Sequence, residues 1–560
     1  MDNYQIADLF SLYAKLLDIH GENAFKAKSY AAAAFTIEKL QVPLMELSKD
    51  KISTIKGIGT SVVQKIHEVL ATEKLSVLDE LIDKTPSGII EMLSIKGIGP
   101  KKINAIWKEM EIESIGELLY ACKENRLKLY KGFGEKTQQN VIESINFYFS
   151  NKGYYLYAQA APLAEEILEM LQQLLPQHQI EITGAIKRQL EIIDHFDFII
   201  EASPEAVINF LNNTEEFKLI SHTNELFVLS TPFQNQIRLF SYPNQFRSNT
   251  IRLSSSAHFW DALVPLVTDH EIDIDERNFF IKHKIQPVPP FLREDGKIIE
   301  KALLNALPVV LQVEDIKGII HCHTHWSDGA NSVEEMAVAA KTLGLEYIVI
   351  SDHSRAAFYA QGLSIEKVLA QHEHIDELNE KLYPFRIFKS IECDILNDGN
   401  LDYPDDILKR FDLIIASVHS NLKMNEEKAM SRLINAIENP YTTILGHMTG
   451  RLLLSRPGYP VNHKKIIDAC AQNKVAIELN AHPSRLDIDW REIEYALEKN
   501  VLISINPDSH QTEGFHDINY GVLVAQKAGV EKHQNLSSFN LDQFEQYIRN
   551  NRNSKVKINL

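Results

Sequence analysis

Cysteine is scarce in this 560-residue chain: four in all, Cys122, Cys322, Cys393 and Cys470, with no two close enough to form a CxxC pair. That spacing excludes both a disulfide framework and a thiolate zinc finger, and it suits a reducing compartment. No run of about 18 apolar residues exists, so no membrane span is expected. Met1–Leu17 lacks a basic start and an unbroken apolar centre, so it does not read as a signal peptide; the expected location is the cytoplasm. Positive charge is also short, 58 Lys+Arg against 76 Asp+Glu, for a net charge of −18. The deficit is uneven. Residues 1–150 carry 19 basic and 20 acidic side chains, a balance of −1, and the other 410 residues carry the remaining −17. An acidic body can hold a phosphate chain only through local basic loops, backbone donors or bound cations. With 44% apolar and 24% charged residues the chain is ordinary for a folded protein, and its length predicts three or four domains.

One pattern recurs near the N-terminus. Ile55-Lys56-Gly57-Ile58-Gly59, Ile95-Lys96-Gly97-Ile98-Gly99 and Tyr130-Lys131-Gly132-Phe133-Gly134 each precede a helical stretch, over 61–70, 100–110 and 135–149. Two glycines permit a tight turn and a close approach of backbone to a partner. The turn's N–H groups and the following helix N-terminus form an anion site that grips phosphates without reading bases. The pattern resembles the helix-hairpin-helix module of DNA repair proteins, which implies Gly57, Gly59, Gly97, Gly99, Gly132 and Gly134 as backbone contacts to DNA.

From 151 to about 310 strand-like runs (181–183, 196–201, 226–230, 236–241) mix with helical ones such as 161–175, predicting an α+β domain. Beyond 315, seven short apolar runs, 317–320, 347–350, 387–391, 413–416, 443–445, 475–479 and 501–505, alternate with helices over 332–343, 364–382, 425–438, 463–473 and 490–499. That βα alternation predicts a parallel, barrel-like sheet, whose reacting groups gather at the C-terminal strand ends.

Those strand ends carry metal-binding residue types: His321-Cys322-His323 with Ser327-Asp328-Gly329, Asp352-His353-Ser354, Glu392-Cys393-Asp394, Ser417-Val418-His419, Gly446-His447, Glu478-Leu479-Asn480 and Asp508-Ser509-His510. Residues two apart on a strand face the same way, so Cys322 and Cys393 are expected to point away from the neighbouring ligands. Imidazole with carboxylate suits zinc, manganese or iron. The count exceeds one ion and fits two or three divalent ions sharing a carboxylate, manganese first among them, then Zn²⁺ or Fe²⁺. A water activated by such ions attacks phosphorus with no protein nucleophile required. Arg451, Arg456 and Arg485, in the following loops, are candidate phosphate clamps.

This set resembles the PHP (polymerase and histidinol phosphatase) phosphoesterase domain over about residues 315–560. The resemblance implies nine metal ligands: His321, His323, Asp328, His353, Glu392, His419, His447, Asp508 and His510. It also implies a trinuclear site, with His321, His323, Glu392 and Asp508 on one ion, Glu392, His419 and His447 on the next, and Asp328, His353 and His510 on the third.

The order of the whole chain is similar to bacterial family X DNA polymerase. The implied architecture is multidomain: an all-α helix-hairpin-helix N-terminal part (1–80, lyase-like, and 81–150, fingers-like), an α+β nucleotidyltransferase-like palm and thumb (151–310), and a distorted (β/α)7 PHP barrel (315–560). One departure matters. The family's palm carries Gly-Ser, Arg-Arg, Glu and Asp-x-Asp, whereas this chain runs from Gly184-Ala185 through Lys187-Arg188 and Glu191 to Asp194-His195-Phe196-Asp197. His195 stands at the first Asp, only Asp197 remains, and Arg238 falls near the third Asp. Asp194 is expected to lie on the opposite strand face. Template-directed transfer needs Mg²⁺ held by carboxylates, so the palm is expected to have lost polymerisation. Lys65 falls where the family's Schiff-base lyase lysine sits. The expected function is a metal-dependent 3′→5′ exonuclease or 3′-end-processing enzyme of DNA repair, acting as a monomer on gapped, nicked or 3′-ended DNA without a membrane. Alternatives are an active gap-filling polymerase and a phosphatase on a small phosphomonoester.

Overall fold

The computed structural model describes residues 1–560 except 124–126, 152, 232–235, 268–273, 455–456 and 557–560. It divides into two compact units, Met1–Lys152 and Gly153–Leu560.

The first unit is helical. A single apolar core, from Ile6 to Ile145, runs through both helical regions expected from the sequence. Asn104 Nδ2 donates to the carbonyl of Ile19 at 2.8 Å, tying the second region to the end of the first helix, Asn3–Ile19. The three Gly-x-Gly repeats fold alike. Gly57, Gly97 and Gly132 have φ of 96°, 88° and 92°, a left-handed conformation that costs residues with a Cβ about 1–2 kcal/mol. In each repeat the same turn closes, with Ile58 N–H donating to Ile55, Ile98 to Ile95 and Phe133 to Tyr130. Helices then start at Thr60, Pro100 and Glu135.

The second unit begins with a five-stranded mixed sheet in the order Ile180–Ile182, Phe196–Ile200, Gln236–Ser241, Leu226–Ser230, Lys218–His222. Phe196–Ile200 and Gln236–Ser241 pair in parallel, bringing Asp197 opposite Arg238. The edge strand Lys218–His222 is exposed at all five positions, so it lacks the alternation that marks a half-buried strand.

Beyond residue 317 the βα alternation forms two parallel sheets. One joins Arg386–Lys389, Tyr347–Ile350 and Gly318–Cys322. The other runs Glu392–Asp394, Ile415–Ser417, Ile444–Leu445, Ala476–Asn480, Ile503–Asn506. Single bridges, His353 to Glu392 and Cys322 to Ser509, join the sheets on both sides. The third expected strand is therefore split. Ser390 N–H still bonds to Ile350, but Glu392 N–H turns to Ser351 and Asp352, and the chain crosses from one sheet to the other. Central strands are buried along their full length, as parallel strands covered on both faces must be. Side-chain caps start the covering helices: Ser332 with Glu335 in a capping box, then Ser364, Asn425, Asn462 and Asp489.

Candidate metal centre

Because the barrel strands run in one direction, their C-terminal ends open on a common rim. Two residues there are left-handed without being glycine, His321 (φ 66°) and Asp508 (φ 53°). Such backbone persists only where surrounding structure over-determines it, and it clusters at functional sites. His321 sits at a register shift between Ile319 and Cys322, so His321 and His323 enter the centre from an irregular strand end rather than by simple alternation. Cys322 and Cys393 are fully buried in the apolar core.

Glu392 lies at the middle. Its Oε1 is 2.8 Å from His447 Nε2, 3.0 Å from His419 Nε2 and 3.3 Å from His321 Nε2, and its Oε2 is 2.9 Å from His353 Nδ1. Asp508 Oδ1 is 3.1 Å from His323 Nε2 and 3.4 Å from His321 Nε2. Asp328 Oδ2 is 3.5 Å from His510 Nε2 and 3.8 Å from His353 Nε2. Three groups have donor atoms within 4.8 Å of one another: His323, Asp328, His353 and His510; His321, His323 and Asp508; His353, Glu392 and His419. The grouping differs from the expected partition: His323 falls with Asp328 as well as with Asp508, and His353 with Glu392.

The electrostatics favour cation binding. Burial pushes the Glu392 carboxyl up, but His419, His321 and His353 outweigh it and hold the group well below the usual carboxylate range. Burial, with His510 and His353 alongside, pushes His323 down to about 4, so its imidazole is neutral near pH 7, the form that ligates. His321 Nε2, His323 Nδ1 and Glu392 Oε2 are buried and make no hydrogen bond. Buried polar atoms in proteins are nearly always bonded. Unsatisfied nitrogens and a carboxylate oxygen on one rim fit divalent cations, and the N/O donor set suits manganese, zinc or iron.

Supporting residues went unassigned at the sequence level. Glu478 Oε2 accepts from His321 Nδ1 at 2.6 Å and from Asn506 Nδ2 at 2.7 Å, while its Oε1 accepts from the His447 N–H and Asn480 Nδ2, each at 3.1 Å. Asp394 Oδ1 lies 3.2 Å from His419 Nδ1. Such partners fix the tautomer and orientation of a ligating imidazole. The Glu-x-Asp spacing of Glu392 and Asp394 was the available signal, since it puts both on one strand face. Asp352 accepts from Thr324 N–H, Thr324 Oγ1, Ser327 Oγ and Gln371 Nε2 and so braces the loop leading to Asp328.

The other candidates separate. Arg485 reaches the centre, its Nε 3.7 Å from Asp508 Oδ2. Arg451 is engaged within the protein: its guanidinium donates to Asp489 Oδ2 at 2.6 Å, to the Arg485 carbonyl at 3.0 Å and to the Leu486 carbonyl. Arg456 lies outside the described residues. Lys65 Nζ is 2.6 Å from Glu68 Oε2, a helix-surface ion pair. In the palm, Arg238 grips Asp197 through two bonds of 2.6 Å. Asp194 is in the turn between Ile192–Ile193 and Phe196–Ile200 and pairs with His195 Nδ1 at 2.8 Å. It therefore misses the site by lying before the strand, not on its opposite face.

Residues 1–75 match the helix-hairpin-helix domain family, 89–146 the SAM-like helix-hairpin-helix tandem and 320–482 the PHP domain. The DNA polymerase/3′-5′ exonuclease PolX of Bacillus subtilis (strain 168) is 30% identical over 98% of this chain and 100% of its own length. A protein of Acetivibrio thermocellus named "Probable phosphatase" is 29% identical over 42% of this chain and 96% of its own length. One from Thermoanaerobacter sp. (strain X514), named "Probable phosphatase Teth514_1060", is 27% identical over 38% and 88%.

Proposed function

The chain belongs to the family X DNA polymerases that end in a PHP domain, and from that premise we propose that it is a DNA-repair phosphodiesterase, trimming 3′ ends with manganese at the barrel rim. The reading is supported above all by three imidazole nitrogens within 3.3 Å of one Glu392 oxygen. Bound divalent ions supply charge neutralisation at the phosphate oxygens and lower the pKa of water. The protein's own groups do the rest. His321, His323, Asp328, His353, Glu392, His419, His447, Asp508 and His510 would hold the cations. Glu478 and Asp394 fix the tautomers of His321 and His419. Arg485 supplies fixed positive charge beside Asp508 for a phosphate oxygen. The left-handed glycine turns present N–H groups to the DNA backbone. We read the protein as a cytoplasmic monomer, in keeping with four buried free thiols.

Polymerisation is not part of this reading. Asp197 is 3% exposed, and its carboxylate is neutralised by Arg238, with His195 Nε2 3.7 Å away. A cation displaced by a guanidinium cannot also be held. The test is a product ladder from 3′- and 5′-labelled strands with Mn²⁺. Stepwise shortening from the 3′ end, lost in His323→Ala, supports the proposal; template-dependent extension with Mg²⁺ or Mn²⁺ refutes the loss of polymerisation. The two relatives named "Probable phosphatase", which match 42% and 38% of this chain, favour a second reading, hydrolysis of a small phosphomonoester. Turnover of p-nitrophenyl phosphate without any DNA ladder decides for it.

A further inference from the structure

The palm motif residues Arg188 and Glu191 make contacts with the barrel and the segment before it. Glu191 is 7% exposed, and both its oxygens are taken by the barrel: Oε1 accepts from Arg491 Nη1 at 2.9 Å and Oε2 from Trp490 Nε1 at 3.1 Å. Arg188 Nε donates to Glu294 Oε1 at 2.8 Å. That carboxylate and the Arg188 carbonyl both accept from Lys527 Nζ, at 3.0 and 2.8 Å, and the Lys527 side chain is wholly buried. The Trp490 ring carries Arg491 and Lys527 at 4.5 and 4.8 Å from its centroid.

The chain of contacts continues inward. Arg491 Nη1 also donates to Asp489 Oδ1 at 2.9 Å. Asp489 Oδ2 accepts from Arg451 at 2.6 Å, and Arg451 in turn holds the carbonyls of Arg485 and Leu486. Leu486 is left-handed (φ 45°), a conformation an apolar residue adopts only when it is held there. Leu486 and Pro483 pack toward Tyr157, Gln189 and Glu191 around a residual void of about 10 Å³. Arg485, between them, points at Asp508.

We propose that Glu191 is a positioning residue for the metal centre, setting the loop that presents Arg485 to a substrate phosphate through Arg491, Asp489 and Arg451. The inference rests on the phosphoesterase reading only in naming the ligand as a phosphate. A residue of the palm motif thereby buttresses a phosphate contact in the neighbouring domain. Contiguous contacts alone are not coupling; coupling is measured by a double-mutant cycle.

The experiment titrates inorganic phosphate calorimetrically into the full-length, Mn²⁺-loaded chain. Because no DNA is present, failure of this relay is read separately from failure of the exonuclease reading. Glu191→Gln keeps the volume and removes the charge; Asp489→Asn interrupts the same path from the barrel side and serves if the first variant does not fold. Each is expected to weaken phosphate binding about 5- to 10-fold, the size of couplings between residues in one network. The pair Glu191→Gln with Arg485→Ala is expected to bind no more weakly than Arg485→Ala alone. Lys301→Ala, which removes an exposed pair with Glu494 at 3.2 Å on the same seam, is expected to bind like the parent. Parental phosphate affinity in Glu191→Gln, or losses that multiply in the double variant, overturns the proposal.

Discussion

Glu478→Gln is the sharpest perturbation of the metal centre because it changes one atom and no volume. The carboxylate accepts four hydrogen bonds, from His321 Nδ1, Asn506 Nδ2, His447 N–H and Asn480 Nδ2, which uses its whole acceptor capacity. A glutamine keeps one oxygen and turns the other position into a donor. Whichever way the amide lies, two of the four buried donors then face an N–H. If the oxygen stays toward His321, the clash falls on His447 N–H and Asn480. If it flips, His321 loses its partner and with it the tautomer that aims Nε2 at the ligand cluster. Each unsatisfied donor costs about 1–3 kcal/mol, so the apo protein should lose about 2–6 kcal/mol. Loss of a partner to a ligating imidazole also costs roughly 10–100-fold in metal affinity. Denaturant unfolding without metal measures the first effect and calorimetric Mn²⁺ titration the second. An apo stability within 0.5 kcal/mol of the parent on the scale of ordinary surface changes, together with unchanged Mn²⁺ affinity, would refute the argument.

Glu392→Ala should lower the Mn²⁺ stoichiometry seen by native mass spectrometry and abolish 3′ shortening while leaving DNA affinity intact, since the hairpins are untouched. His372 makes stability depend on pH. Burial, then Lys389 and Arg410 against Asp376, pushes its imidazole down to about 4, so below pH 6.5 the unfolded chain takes up a proton that the folded one refuses. At 1.36 kcal/mol per pH unit, and discounted for partial solvent access, about 2 kcal/mol present above pH 6.5 should be lost between pH 6.5 and 4; urea titrations of the parent and His372→Leu at pH 7.5 and 4.5 check it, the variant showing the shallower loss. Gly97→Val puts a β-branched residue at φ 88° with open space around its Cβ. It should cost about 1–3 kcal/mol in backbone strain and weaken DNA binding by fluorescence anisotropy without altering Mn²⁺ affinity.

Elements that are buried runs or carry their own caps could be read from the sequence. Tyr347–Ile350, Leu226–Ser230, Gln236–Ser241 and His463–Asn473 have the same ends in sequence and structure, because apolar content and an N-cap are local properties. The convergence of ligand-type residues was legible for a similar reason: parallel strands in βα units share an end, so strand-end residues meet whatever the barrel's detail. The split of the third strand was not legible. Ile387 to Ile391 reads as a single strand, and only the hydrogen bonds of Ser390 and Glu392 to different partners reveal the crossing. Nor could the sequence distinguish Arg451 from Arg485. Both are arginines in rim loops, and what separates them is Asp489, a carboxylate that Arg451 reaches across 38 residues.

On the proposed reading, polymerisation by the palm would be hard to restore. By resemblance, three carboxylates in an active palm repel one another and are relieved by bound Mg²⁺. Here Arg238 supplies that relief from within the protein, forked onto Asp197, and Gly184 sits so close that a Cβ there would lie 2.0 Å from Asp197 Oδ2. Restoring the first acid alone, His195→Asp, should therefore fail, because Arg238 would pair with either carboxylate and still occupy the cation's place. Arg238→Asp alone puts two acids side by side with the guanidinium gone and His195 paired to Asp194, and folding should weaken by about 3 kcal/mol, the cost of breaking a buried pair. Only the double change presents three carboxylates together. It should bind Mg²⁺ measurably by calorimetry, where each single variant does not. It should still extend primers poorly, because Glu191 and Arg188 remain engaged with the barrel and the thumb. Robust extension by His195→Asp alone would show that Arg238 yields its partner readily and would refute this reasoning.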